Sequence, residues 1–541
     1  MSEFKWGDPH PLAVNLLKRR HEANGRAARH YATTLSEADE IYLRGGSGVT
    51  EGLHVFDREA GNIQKWQRWA GGALAASRED AAVAALYRDL ALSGAWVSDL
   101  RRSPKELAQL FATSVLACRG LHDQQGEAVA LGNLGGAYTD MGEYQKAIDC
   151  HTQSLDLSRK LGNRRGEGHA HGNLGNVRAA LGEFHAAVEC YECNLQIARE
   201  LKDSRGMTAA LGNLGNANTD LGNYQTAIDY HSQSLALSRQ IGDRRAEGSS
   251  LCGIGNAHFA LGDASQAIIF WSQSLVISRE LRDRKGEGQD LSNLGSAYAK
   301  SGDLRSAANC IEEAVNVARL IGNRAGEGTA IGNLGCIFQL SGEHAKSIDC
   351  HLQALAISRE MGDRRAESQD LNNLGFAYSG LRDFAASIRH YEQQVELSRL
   401  IGDHGAEGKT LLSLGNAYAA MGKNDIALSY YARRIELARE RGDRRGEGMA
   451  SFNMAVVLRD LQRHAEAVPF AERALSIYEL ISYPGEEKAR RLVLDLRPLE
   501  VQDPPRAGPT SLTNGDSREP RPDSSGAGKV SAPGVERARP G

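Results

Sequence analysis

One motif recurs in this chain every 40 residues, without insertion or deletion. It reads LGNLGNANTDLGNYQTAIDYHSQSLALSR from Leu211 to Arg239. Its Leu-Gly pair returns at Leu134-Gly135, Leu174-Gly175, Leu214-Gly215, Leu294-Gly295, Leu334-Gly335, Leu374-Gly375 and Leu414-Gly415. Ile254-Gly255 fills one place, and Met454-Ala455 marks a worn last copy. A fixed period of this length cannot belong to a compact globule. Each unit has an apolar face that only a neighbouring copy can cover, so the chain must stack into a solenoid.

Each copy contains two helical patterns, Gly126 to Met141 and Tyr144 to Leu161 in the first. Leu134, Tyr138, Ala147, Ile148, Leu155 and Leu157 form its apolar stripe, and Gly135 and Ala147 are small where two antiparallel helices meet. The fold class is therefore all-α, a right-handed superhelix of antiparallel helix pairs. The joints carry helix punctuation. Gly162 and Gly242 suit a left-handed helix end, and Asn163 and Asp243 suit the next N-cap. Arg119, Arg159, Arg199 and their equivalents close second helices, and Glu127, Glu167, Glu247 and theirs open first helices. Each charge opposes a helix dipole, so this ladder reads as structural.

The period divides the chain. Residues 1–75 lie outside it and read as helices broken at Gly45-Gly46-Ser47-Gly48. A helix there places Phe56, Ile63, Trp66, Trp69 and Ala70 on one face. Residues 76–123 read as a degenerate first repeat, restarted by Ser103-Pro104. Nine copies occupy 124–483, and residues 484–497 form an amphipathic capping helix. The tail, 498–541, holds eight of the thirteen prolines and no aromatic residue, so it is expected to be disordered.

Composition excludes several classes of function. The net charge of -4 leaves no basic footprint for nucleic acid. No apolar run is long enough to span a membrane, and the N-terminus has no secretory pattern. Cys150, Cys190, Cys310 and Cys350 share a repeat position with Tyr230, Phe270, His390 and Tyr430, which marks a packing position. Such thiols suit a reducing cytoplasm. The Asp149-x-His151, Asp229-x-His231 and Asp349-x-His351 pairs point in different directions on a helix, so they read as packing rather than as dyads. Cys190 and Cys193 lack the second pair a zinc site needs. No phosphate loop or hydrolase motif occurs. Neither an enzyme nor a cofactor or metal site is expected.

The pattern Leu214-Gly215, Gly222, Tyr224, Ala227-Ile228, His231, Leu235 resembles the tetratricopeptide repeat, lengthened from 34 residues. The GNLGNAY and GDRRGEG elements resemble the Pins/LGN group of adaptors. The region from Arg29 to Ala128 is similar to the segment joining the ATPase half of bacterial NB-ARC/STAND proteins to their repeat sensor. That likeness implies a sensor module acting with a separate ATPase.

In the tetratricopeptide family one stripe of the first helix lines the concave wall. Here that stripe carries Asn133, Asn173, Asn213, Asn293, Asn333 and Asn373, and again Asn176, Asn216, Asn256 and Asn416. An asparagine amide offers donors and an acceptor, so a column of them can hold a peptide backbone without reading its sequence. The same amides could instead tie neighbouring helices together, and both roles stay open. Selectivity would fall to the variable positions Phe259, Lys300, Gln339, Gln369, Phe376, Lys409 and Arg459. The carboxylate clamp of chaperone-binding members is not evident, because Gly132, Gly172 and Gly212 occupy its lysine position. The expected function is a scaffold that grips a protein or peptide in its groove. The alternative is a regulatory sensor of a STAND-type ATPase in trans.

Overall fold

The computed structural model describes residues 11–43, 47–76, 80–93 and 102–496. The region expected to be a disordered tail lies outside them. The described residues form 23 helices and no strand. Four precede the regular array: α1 (Pro11–Leu43), α2 (Ser47–Ala76), α3 (Ala81–Leu92) and α4 (Pro104–Gly120). Nine pairs follow, α5 (Gln124–Asp140) with α6 (Tyr144–Lys160), α7 (Arg164–Ala180) with α8 (Phe184–Glu200), and α9 (Ser204–Asp220) with α10 (Tyr224–Ile241). Next come α11 (Arg244–Ala260) with α12 (Ala264–Glu280), α13 (Arg284–Ser301) with α14 (Leu304–Leu320), and α15 (Arg324–Leu340) with α16 (His344–Met361). The last are α17 (Arg364–Gly380) with α18 (Phe384–Ile401), α19 (His404–Ala420) with α20 (Asn424–Arg441), and α21 (Arg444–Asp460) with α22 (His464–Leu480). A final helix, α23 (Glu486–Leu496), buries Ala489, Leu492, Val493 and Leu496 against the end of the array.

The helices begin and end where local chemistry dictates. Ser103 and Glu106 form a reciprocal capping box on α4, with Pro104 in its first turn. Asn163 and Asp243 accept the backbone N–H of Gly166 and Ala246, both at 3.0 Å. Gly162 and Gly242 turn the chain with φ of 64° and 71°. Lys202 and Arg282 occupy that turn position at φ 53° in other copies, a costlier choice for a residue with a Cβ. Ser47 and Gly48, expected in the glycine-rich break, already belong to α2, and Gly45 and Gly46 lie outside the described residues.

Packing within a pair follows one rule. A Cβ on Gly135, Gly175, Gly215, Gly255, Gly295, Gly335, Gly375 or Gly415 would run into His151, Tyr191, His231, Trp271, Ile311, His351, Tyr391 or Tyr431 respectively. The glycine of the first helix is thus the seat for a large side chain of the second. In the worn copy that side chain shrinks to Ala471 and the glycine becomes Ala455, both fully buried. The three histidines are core residues, as their repeat position implied. Burial pushes each of their pKa values down to about 4.

The Arg/Glu ladder differs from its expected form. The charges pair with one another across every joint except the one after Arg199, where Met207 stands in place of the glutamate, rather than merely facing helix ends. Arg159, Arg239, Arg279, Arg319, Arg359, Arg399 and Arg439 donate to Glu167, Glu247, Glu287, Glu327, Glu367, Glu407 and Glu447 at 2.6–3.1 Å. These glutamates are buried. Most bind a second arginine: Arg164, Arg244, Arg284 and Arg364, each the first of an Arg-Arg or Arg-Lys doublet, and Arg324, which precedes Ala325, reach Glu167, Glu247, Glu287, Glu367 and Glu327 respectively. Burial alone would raise the Glu247 pKa, yet the hydrogen bonds from Arg239 and Arg244 hold it below the carboxylate range.

Candidate groove on the first-helix wall

Every first helix follows the second helix of the preceding pair and packs on its own second helix, so the first helices form one wall. Successive first helices touch directly, as in α5–α7, α9–α11, α15–α17, α17–α19 and α19–α21. Successive second helices come no closer than grazing contact. The first-helix wall is therefore the inner side of the bend. Among the described residues, no helix is long and apolar enough to cross a membrane.

The asparagines fall on this wall in two columns. Asn133, Asn173, Asn213, Asn293 and Asn373 are half-buried, and Asn333 is exposed. Asn176, Asn216, Asn256 and Asn416 are exposed. Some of them are also structural ties. The Tyr191 hydroxyl donates to Asn176 Oδ1 at 2.8 Å, Trp271 Nε1 to Asn256 Oδ1 at 3.1 Å, and the Tyr431 hydroxyl to Asn416 Oδ1 at 2.8 Å. Across joints, Asn213 Nδ2 donates to Asn176 Oδ1 at 3.4 Å and Asn453 Nδ2 to Asn416 Oδ1 at 2.8 Å. Asn293 and Asn373 make long contacts to Cys252 and Cys336. A committed carbonyl leaves the amide N–H2 group of Asn176, Asn256 and Asn416 as the free end. The gap in the first column at Gly253 has a packing cause: a Cβ there would strike His231.

The wall also carries a row of cations that the sequence reading passed over. Arg165, Arg245, Lys285 and Arg365, each second in an Arg-Arg or Arg-Lys doublet, and Arg205 after Ser204 are exposed, whereas Arg445 of the last doublet lies over the Tyr483 ring. None of the five makes an ion pair or side-chain hydrogen bond among the described residues, while most of their chain neighbours are locked to glutamate. Spacings of four and eleven residues put Arg165 on the same helix face as His169 and Asn176. The signal was present as the doublet in NRRGEG and DRRAEG, but only packing separates a locked arginine from a free one.

The variable positions fall into two kinds. Phe376 is 58% exposed; outside those positions Leu340 is 67% and Val129 45% exposed, so the wall also carries scattered apolar side chains. Lys300 and Arg459 are already engaged. Lys300 Nζ lies over the Phe259 ring at 4.5 Å and donates to its carbonyl oxygen, and Arg459 pairs with Asp460 at 2.9 Å.

The tetratricopeptide repeat model matches residues 126–200, 206–280, 290–360, 369–440 and 410–480. Among solved structures, the chain is similar to a Signal Transduction ATPase with Numerous Domains (STAND) protein with a tetratricopeptide repeat sensor, PH0952 from Pyrococcus horikoshii. That match has 13% identity and a TM-score of 0.52, over 67% of this chain and 55% of that one. The chain thus spans about half the length of that protein. It is also similar to the apo form of RapI, at 13% identity and a TM-score of 0.47, over 61% of this chain and 97% of that one. For BtubC from P. vanneervenii the values are 19% and 0.37, over 41% and 93%. At such identities the likeness concerns the fold alone. A search of curated proteins finds no match. Because the family model covers more than half of the chain, the chain belongs to the tetratricopeptide repeat family.

Proposed function

We infer that the first-helix wall binds a segment of a partner protein laid along several copies, and that the chain acts as a scaffold without catalysis of its own. The observation that carries this reading is the row of cations unpaired among the described residues, beside amides whose N–H2 groups face outward even where their carbonyls serve as ties. Amide donors suit the carbonyls of a peptide backbone, and the cations suit acidic side chains on the same segment. Phe376 and Leu340 offer an apolar anchor, the kind of contact that dominates affinity. The partner is a protein or peptide, neither nucleic acid nor membrane. All eight cysteines are unpaired thiols, which fits a cytoplasmic setting.

The test must spare the core. Asn176, Asn256 and Asn416 hold buried aromatic donors, so changing them confounds binding with stability. Asn173, Asn213 and Asn216 do not. Changing these three together to Ala should abolish capture of the partner and leave the helical circular dichroism intact. Unchanged capture refutes the groove.

A second reading rests on the likeness of the N-terminal region to the STAND segment and on the STAND protein with a repeat sensor among the structural relatives. In it the chain regulates a separate ATPase. Altered ATP turnover by a co-expressed partner supports that role, and unaltered turnover opposes it.

A further inference from the structure

Before the regular array, residues of α2, α3 and α4 line a half-open cavity of about 880 Å³. That size lies within the roughly 300–1,000 Å³ typical of small-ligand sites. We propose that this cavity binds a small organic carboxylate, with Arg102 taking the charge.

The cavity wall is bare on one side. Gly71 and Gly72 of α2 line it. A Cβ on Gly71 would come to 3.0 Å from the Tyr87 ring, and one on Gly72 would meet nothing within 4 Å. Arg102 is held facing this space by a relay. Its Nη2 donates to Gln67 Oε1 at 2.6 Å, and the buried Gln67 amide donates to the Leu90 carbonyl at 2.8 Å. The Arg102 Nε is buried with no partner. Among the described residues no carboxylate lies within ion-pair distance of it. Glu106 also lines the cavity, but its carboxylate accepts from the Ser103 N–H and hydroxyl at 3.0 and 2.9 Å. Burial, only partly offset by Glu106, lowers the guanidinium pKa.

A poorly solvated cation whose charge a neighbouring carboxylate only partly offsets costs folding free energy. No packing need explains it here, because Gln67 would be satisfied by any donor. An incoming anion would compensate it. A single guanidinium fork matches a planar carboxylate. The remaining lining, with Gln109 and Thr113 beside Leu74 and Leu110, suits an amide next to an apolar side chain. A free N-acyl amino acid and the C-terminus of a peptide share this chemistry.

The test uses the full chain and calorimetric titration. The probes are N-acetyl-leucyl-leucine, its C-terminal amide, and a ten-residue peptide ending in Leu-Leu with a free carboxylate. The acid should bind at least about tenfold more tightly than the amide, the scale of one charge-assisted bidentate pair. Equal binding of the two, or no binding of the acid, overturns the proposal. Binding of the long peptide assigns the site to chain termini, and its exclusion assigns it to small acids. Arg102→Met should remove the preference for the acid. Gly72→Phe has room to fill the cavity, so it should lose binding with unchanged circular dichroism. A ligand-free readout separates function from structure: Arg102→Gln, which keeps a donor for Gln67, should raise the Tm, because a half-buried charge that Glu106 only partly offsets is gone. A lowered Tm together with an unchanged preference for the acid overturns the assignment.

Discussion

At the scale of single residues, the core carries polar groups with no hydrogen-bond partner among the described protein atoms. His231 is 2% exposed and neither ring nitrogen has a partner. The equivalent Tyr191 and Tyr431 reach an asparagine on the facing helix. His231→Tyr should reach Asn216 in the same way, with a gain of about 1–2 kcal/mol from a satisfied hydrogen bond and lost desolvation. It should also flatten the acid limb of stability. The folded-state pKa of His231, about 4, lies below the ordinary 6.5, so the unfolded chain takes up a proton that the folded chain refuses. This stability is present at neutral pH and is lost as pH falls from 6.5 toward 4. For one such histidine the loss between pH 7 and pH 5 is about 2 kcal/mol. Buried Asp290 and Asp370 act in the opposite sense. Their pKa values are raised to about 6 chiefly by burial, so each favours the folded state more as pH falls through 6. Denaturant midpoints of wild type and His231→Tyr at pH 7 and pH 5 measure the difference. Equal acid sensitivity of the two contradicts this account.

At the scale of helices, the same amino acid plays opposite roles according to what it faces. Gly375 seats Tyr391, so Gly375→Ala should destabilise by about 1–3 kcal/mol through overpacking. Gly212 meets nothing within 4 Å, so Gly212→Ala should stabilise by about 0.5–1 kcal/mol through helix propensity. Thermal unfolding of the two variants gives shifts of opposite sign if the helix pairs seat as described. At the turns, Arg282→Gly should stabilise by about 1 kcal/mol, because φ is 53° there and glycine adopts it freely. The helix boundaries were legible in the sequence because capping and turn residues repeat at every joint. Gly135 and Ala147 could be read as contact points for the same reason. The pairing of Arg159 with Glu167 was not. The sequence places both at helix ends, but whether each faces a dipole or the other depends on how two helices cross in space. The locked and free arginines of a doublet such as Arg164-Arg165 are adjacent in sequence and differ only in direction, so periodicity alone could not separate them.

At the scale of the whole molecule, repetition made the architecture legible and the site only partly so. A strict period forces stacking, and stacking leaves one wall inside the bend. Spacing gathered the asparagines into columns, and the resemblance to tetratricopeptide repeats implied that those columns line the inner wall. Their double duty could not be read there, because it depends on whether Tyr191 or His231 stands behind the amide. The cavity beside Arg102 was hidden as well, since it arises from three helices that follow no period. The account therefore rests on direction: the partner should lie against the first helices and not the second. Site-specific photo-cross-linking from position 216, on the inner wall, and from position 236, exposed on a second helix, measures this most directly. The account predicts a cross-linked partner from position 216 that an excess of unlabelled partner peptide competes away, and none from position 236. Equal cross-linking from both positions, or cross-linking from position 236 alone, would contradict it.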